Sequence, residues 1–389
     1  MGNTAKEESV PPVADVNRSS SPFRVLALDG GGIRGIYTAS FLHGLAAHFL
    51  PKEEVGWDIG RYFNLITGTS TGGILACGLA AGMPTSKILR MLETVGPLLF
   101  TNPVPAGGLK LYLWAATCLG KAANSSGPLR AALEEEFGNK TIGEVYEERR
   151  IALCIPTSRL LDWTPKVFKS PHFEYFTRDK DVSLVEVCMA TSAVPALMPV
   201  ATVTEADQSG VPGYFVDGCL WANNPSLIGL LEALDLCTDA ETGKTLRPIE
   251  ILSVGTSGGA SGDALNNRVN RGLLDWGFGS ETALLAVELQ DRASEYVMVK
   301  LVHHFQKRGV AIRYQRIPNP HISDRQAREL KPDRANPAAI NLLHKLGDRQ
   351  AQFVQGESRK KTPLGALVTD IFSKPKAILG QQEGPSDQS

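Results

Sequence analysis

Five short apolar runs recur along the chain, each ending in glycine or a polar residue, with helical stretches between them. They are FRVLALDG (Phe23 to Gly30), YFNLITG (Tyr62 to Gly68), RIALCIPTS (Arg150 to Ser158), GYFVDG (Gly213 to Gly218) and IEILSVGTS (Ile249 to Ser257). Runs of this length, rich in β-branched residues, read as buried strands. Ala39, Leu42, Ala46 and Phe49 recur at helical spacing after the first run, and Ile74, Leu75, Gly78 and Leu79 after the second. Strands alternating with helices predict an α/β layer fold with a mostly parallel central sheet. In such sheets the active groups gather beyond the carboxyl ends of the strands.

Two of the runs lead into a G-x-S-x-G pattern, the turn that exposes a nucleophilic serine between a strand and a helix. GTSTGG (Gly68 to Gly73) offers Ser70, and GTSGG (Gly255 to Gly259) offers Ser257. In a chain with 38 glycines one such match arises easily by chance, so context must decide. An apolar helical stretch, GGILACGLAAG, leaves directly after Ser70, whereas GGASGDALNN after Ser257 reads as loop. Ser70 is therefore the candidate nucleophile, with Gly68 and Gly72 permitting the tight elbow. A helix starting there would bring its positive dipole end beside the serine oxygen.

DGGGIRG (Asp29 to Gly35) lies between the first strand and the first long helix and has two readings. Gly30, Gly32 and Gly35 match the dinucleotide fingerprint G-x-G-x-x-G. Its acidic partner would have to be Glu53 or Glu54, which sit in a loop-like stretch. Alternatively, the backbone N–H groups around Gly30, Gly31, Gly32, Ile33 and Arg34 form an oxyanion hole. Arg34 could add positive charge there or pair with a structural carboxylate. Asp217 ends the GYFVDG strand; it is a candidate base, or a turn aspartate.

Taken in order, DGGGIRG, GTSTGG and DGC followed by ANNP resemble the patatin-like phospholipases, as does ATSAVPALMP (Ala190 to Pro199) ahead of the aspartate. The resemblance spans about Phe23 to Gly259, with Cys219 standing where that family usually has Gly or Ala. It implies a three-layer α/β/α fold, here with a helical C-terminal extension. It also implies a Ser70–Asp217 dyad without a catalytic histidine, and an oxyanion hole from Gly31, Gly32 and their neighbours. The implied reaction is acyl-lipid hydrolysis through an acyl-enzyme. Two alternatives stand beside it. An α/β-hydrolase would need a triad histidine after Asp217, from His303, His304, His321 or His344. A nucleotide-binding module would use Gly30 to Gly35.

Residues 1–22 read as a disordered lead, 23–260 as the catalytic domain, 261–360 as a helical extension packed on the core, and 361–389 as a largely disordered tail. Asn336 and Pro337 read as the start of a helix in the extension. The stretch Gly96 to Gly127 is apolar, with Tyr112 and Trp114. It is either a membrane-facing flap or a pair of core helices. The basic and aromatic cluster Arg313, Tyr314, Arg316 and Arg325 is either a solvated face or a nucleotide site. The latter follows a looser resemblance to bacterial phospholipases that act as effectors of cyclic-nucleotide anti-phage signalling. The expected partners are an acyl lipid at a membrane surface, a cyclic dinucleotide activator and a second copy of the chain. A net charge of -1 argues against a nucleic-acid polymer. Six scattered cysteines without a C-x-x-C pair argue against a zinc ribbon or thioredoxin-like site and fit a reducing compartment; no metal is expected, and the resemblance implies a cytoplasmic protein acting peripherally on the inner membrane surface. No cofactor is expected.

Overall fold

Side chains of the first strand point alternately into two hydrophobic cores, and that alternation sets the layering. The computed structural model describes residues 21–51, 56–105, 108–204, 212–257, 269–270, 272, 276 and 279–376. The first half runs β1 (Phe23–Leu28), α1 (Gly35–Phe49), β2 (Leu65–Gly68), α2 (Thr71–Ala80), α3 (Thr85–Leu99), α4 (Gly108–Thr117), α5 (Gly127–Phe137), α6 (Ile142–Arg149), β3 (Ala152–Arg159) and β4 (Thr164–Lys169). The second half runs α7 (Leu184–Thr191), β5 (Ala201–Val203), β6 (Gly213–Asp217), α8 (Cys219–Ala222), α9 (Ser226–Cys237), β7 (Ile249–Val254), α10 (Ser280–Lys307), β8 (Ile312–Arg316), α11 (Asp324–Glu329), α12 (Pro337–Lys360) and α13 (Pro363–Ser373).

The strands form one sheet in the order β5-β6-β3-β2-β1-β7-β8, with β4 paired to β3. The pairs β1–β2, β1–β7, β2–β3 and β7–β8 are parallel; β4, β5 and β6 are joined antiparallel. Leu26, Leu28, Leu153, Ile155 and Leu252 face a core shared with α1, α2, α3, α7, α12 and α13. Phe23, Val25, Cys154, Ile249 and Ile251 face a second core with α9 and α10. The layers are therefore α/β/α, as the resemblance implies.

The C-terminal part differs from a purely helical extension. Residues 312–316 form β8 and extend the sheet beside β7. Alternation of Ile312 and Tyr314 towards the second core outweighs the charge of the intervening Arg313. The tail does not begin at 361: α13 buries Leu367, Val368, Ile371 and Phe372. Asn336 caps α12, its side chain accepting the Ala339 N–H at 2.8 Å. The expected lead (1–20), the end of the tail (377–389), Glu53 and Glu54, and the loop after Ser257 (258–268) lie outside the described residues.

One register decides where the candidate aspartate falls. β6 is antiparallel to β3, so a full-length strand would end at the wrong edge of the sheet for Asp217 to meet Ser70. It starts beyond the carboxyl end of β3 and stops at Asp217 opposite Thr157, with Arg159 opposite Phe215. Since Thr67 stands opposite Cys154 on the same strand, Asp217 arrives at the level of Ser70.

Candidate active site

Ser70 occupies the turn between β2 and α2 with φ 55° and ψ −125°. A non-glycine residue here is strained by about 1–3 kcal/mol and must be held by its surroundings. The Ser70 N–H donates to Thr191 Oγ1 at 3.0 Å, and Thr191 donates on to the Pro156 carbonyl at 2.6 Å. The Ser70 carbonyl accepts the N–H groups of Gly73 and Ile74 as α2 begins. The elbow tolerates no side chain at its glycines: a Cβ on Gly68 would lie 2.1 Å from the Gly72 carbonyl oxygen. One on Gly72 would lie 2.3 Å from that of Leu28.

Asp217 is fully buried. Its Oδ1 accepts the Cys219 N–H at 2.8 Å. Burial pushes the carboxyl up to about 6, against the lowering effects of the Cys219 amide and the nearby Ser70 hydroxyl. Oδ2 is buried with no hydrogen bond formed to it among the described residues. Cys219 thus contributes its backbone, and its thiol is held protonated by burial and by the Asp217 charge.

In the glycine loop, all three carbonyls are tied back. The Gly30 oxygen accepts from Thr256 Oγ1 at 3.3 Å, Gly31 from the Arg34 N–H at 3.1 Å, and Gly32 from Thr71 Oγ1 at 2.7 Å. Among the five amides expected to form an oxyanion hole, three are committed. Gly30 N–H donates to Asn223 O, Ile33 N–H to Pro332 O and Arg34 N–H to Gly31 O. The N–H groups of Gly31 and Gly32 make no such bond among the described residues. Gly32 takes φ +57°, and a Cβ there would sit 2.2 Å from the Pro332 carbonyl oxygen. Arg34 is buried, with its guanidinium 3.6 Å from Glu288; of its two readings, the structural pairing is the one observed.

Beside Ser70 lies an apolar slot of about 50 Å³, lined among others by Ile33, Ile74, Leu92, Leu99, Phe100 and Met198. No histidine lines it. His303 and His304 are exposed on α10, His321 is exposed, and His344 pairs with Ser40 and Glu93. A Ser170–His172–Glu232 chain of hydrogen bonds, 2.9 and 2.8 Å, is buried against α9 on the other face of the sheet. Cys154, His172 and Glu232 bring three donor atoms within 4.8 Å of one another, but the Lys169 ammonium already holds Glu232 at 2.5 Å.

Ser257 is buried at the end of β7 with φ 28°. Its hydroxyl has no partner among the described residues and is not part of the slot at Ser70. The four residues expected to take a nucleotide do not converge. Arg313 pairs with Asp370 at 2.7 Å and with Glu250, and the Tyr314 hydroxyl donates to Glu295. Arg316 pairs with Asp29, and Arg325 is exposed on α11. Arg313 and Tyr314 do line a cavity of about 390 Å³, with Val302, His303, Gln306 and Pro363. The apolar stretch holds α4, which buries Leu111 and exposes Leu109, Tyr112 and Leu113; it is not a core helix. Trp114 is half-buried, donating to the Asn102 carbonyl at 3.2 Å. Thr191 and Asn223, which fix Ser70 and Gly30, were not singled out from sequence, although both lie in quoted motifs.

The family model of the patatin-like phospholipases matches residues 26–230. The chain belongs to the patatin-like phospholipase family. This patatin-like protein is 32% identical over 360 residues to a cGAMP-activated phospholipase of Escherichia coli, covering 90% of this chain and 95% of that protein. It is 29% identical over 359 residues to a cGAMP-activated phospholipase of Vibrio cholerae, with 91% and 93% covered. Patatin-like protein 1 of Arabidopsis thaliana is 28% identical over 218 residues, with 53% and 50% covered. Because they cover 90% and 91% of this chain, the bacterial relatives share most of the segment that follows the family-model match.

Proposed function

We propose that this patatin-like phospholipase hydrolyses acyl esters of phospholipids through a Ser70–Asp217 dyad. Ser70 Oγ attacks the ester carbonyl while Asp217 Oδ2 takes its proton. The Gly31 and Gly32 N–H groups receive the developing oxyanion. Departure of the lysolipid alcohol, which takes that proton, leaves an acyl-Ser70. Water, deprotonated by Asp217, then releases the fatty acid. The carrying observation is the pairing of a strained, buried serine with a carboxylate that keeps one oxygen unbonded beside it. The absence of histidine from the slot favours this dyad over a triad.

Substrate would be taken from a membrane surface. The β3–β4 hairpin runs beyond the level of Asp217 by more than ~7 Å, at ~3.3 Å per residue from Thr157 to Arg159. At its tip Leu161 is 80% and Trp163 90% exposed. Leu109 and Leu113 of α4 add exposed apolar area, as a peripheral enzyme needs. No helix among the described residues is long and apolar enough to cross a membrane.

Activation by a cyclic dinucleotide is the second part of the reading, carried by the names of the bacterial relatives. A slot of about 50 Å³ holds roughly three to five waters and cannot accept a long acyl chain unless α3 and Phe100 shift. A closed slot is what a resting enzyme would have, and a ligand opens it only by binding the open state more tightly. The cavity beside Arg313 and Tyr314 is the proposed place for that ligand. The test is lipid mass spectrometry on phosphatidylethanolamine–phosphatidylglycerol vesicles, with and without a panel of cyclic dinucleotides. Wild type should release fatty acid and lysolipid with one member of the panel, and Ser70→Ala with none. Equal release by both proteins would end the reading.

A further inference from the structure

The glycine loop is gripped on several sides by residues that follow the family-model match. Asp29, directly before Gly30, is buried and receives both terminal nitrogens of Arg316, one at 3.1 Å. The same guanidinium donates to Ser253 Oγ at 2.7 Å and lies 3.5 Å from Asp291 and 3.6 Å from Glu295. Further along, Pro332 O accepts the Ile33 N–H at 2.8 Å and Glu288 faces Arg34. On the other flank, Gln290 of α10 holds Trp221 O at 2.7 Å and Asn223 N at 3.0 Å, and Asn223 O in turn holds Gly30 N. Catalysis by amide donors needs them fixed in advance, because a loop that must reorganise forfeits the gain. A bidentate guanidinium–carboxylate pair fixes orientation as well as distance.

We propose that Arg316 is a positioning residue for the reaction at Ser70: acting through Asp29, it sets the direction of the Gly31 and Gly32 amides. Neither residue reaches the reacting atoms. Arg316 closes β8, the strand that also places Arg313 and Tyr314 at the 390 Å³ cavity, so a ligand there would act on the oxyanion loop along one strand. The inference rests on the Ser70 reading above, but its test can fail separately.

The test compares Arg316→Lys, Asp29→Asn, the double variant and Arg24→Lys by steady-state hydrolysis of a short soluble ester. Each rate is normalised to the serine titrated by a fluorophosphonate. Arg24 is a more deeply buried arginine, paired with Glu250 at the far end of β1. Losing a whole oxyanion donor costs about 10²–10³ in kcat, so a loosened loop should cost roughly tenfold to a hundredfold. That loss is expected for Arg316→Lys and Asp29→Asn, with KM within about threefold. The double variant should be little worse, because the two act as one unit. Arg24→Lys should lower the melting temperature and leave normalised kcat unchanged. Unchanged kcat in folded Arg316→Lys, a loss carried by KM, or an equal kcat loss in Arg24→Lys would each overturn the proposal. If Arg316→Lys does not fold, Asp29→Asn decides by the same readings. Retained turnover in Ser70→Ala would instead remove the dyad.

Discussion

Replacing Asp217 by asparagine should make the protein inactive and, at the same time, relatively more stable as pH rises. The carboxyl is fully buried, and its pKa rises from 3.8 to about 6 on folding. A raised carboxyl contributes stability that is fully present below 3.8 and is lost as pH rises through about 6. At about 1.4 kcal/mol per unit, the full shift amounts to about 3 kcal/mol of destabilisation at pH 8, and about 2 kcal/mol of it develops between pH 4 and pH 8. Asparagine is neutral throughout and keeps an Oδ1 for the Cys219 N–H, but its amide replaces an oxygen that has no partner. An unsatisfied buried donor costs about 1–3 kcal/mol, which offsets the gain at every pH equally. The pH-dependent difference between the proteins is therefore the sharper quantity. Urea unfolding of wild type and Asp217→Asn at pH 4, 5, 6 and 8 reads it, because every other carboxyl titrates in both. Ester hydrolysis by the same samples should fall by several orders of magnitude. A stability difference that is flat with pH would refute the buried-charge argument, and retained turnover would refute the role as base.

Three further outcomes follow from the same geometry. The kcat/KM of wild type on a soluble ester should rise with pH through about 6, the range to which burial moves Asp217, in a stopped-flow pH series; a rise centred near 4 would contradict it. Ser257→Ala should leave turnover intact while Ser70→Ala abolishes it, in parallel assays of the purified proteins. Leu161→Ala with Trp163→Ala should weaken hydrolysis of vesicle lipid at least tenfold while changing soluble-ester turnover less than about twofold; equal losses would assign the hairpin tip to packing.

The strands ending in Leu28, Gly68 and Val254 were legible because each is an apolar run bounded by turn residues, and the alternation of strand and helix announced the layers. β4, β5 and β8 were not. Ala201–Val203 is too short to show a period, and IRYQR carries two arginines whose charge hides a strand half covered by α10. The strand–turn–helix around Ser70 was legible from the apolar helix that follows it. The position of Asp217 was inferred for an incomplete reason: it ends a strand, but an antiparallel one, and only the offset of β6 against β3 brings it to Ser70. The loop pattern offered five amides for the oxyanion, and the choice among them depends on Thr71, Asn223, Thr256 and Pro332, all distant in sequence. The basic cluster near 313 looked available because its counter-charges, Asp29, Glu250 and Asp370, are brought to it only by the sheet and α13.

The central claim is that Ser70 is the activated nucleophile, and peptide mapping by mass spectrometry after treatment with a fluorophosphonate tests it without knowledge of the lipid. The account predicts a single stoichiometric adduct on the peptide containing Ser70, formed fast by wild type and at least a hundredfold slower by Asp217→Asn. An adduct on Ser257, or labelling of Ser70 at the same rate in both proteins, would contradict it.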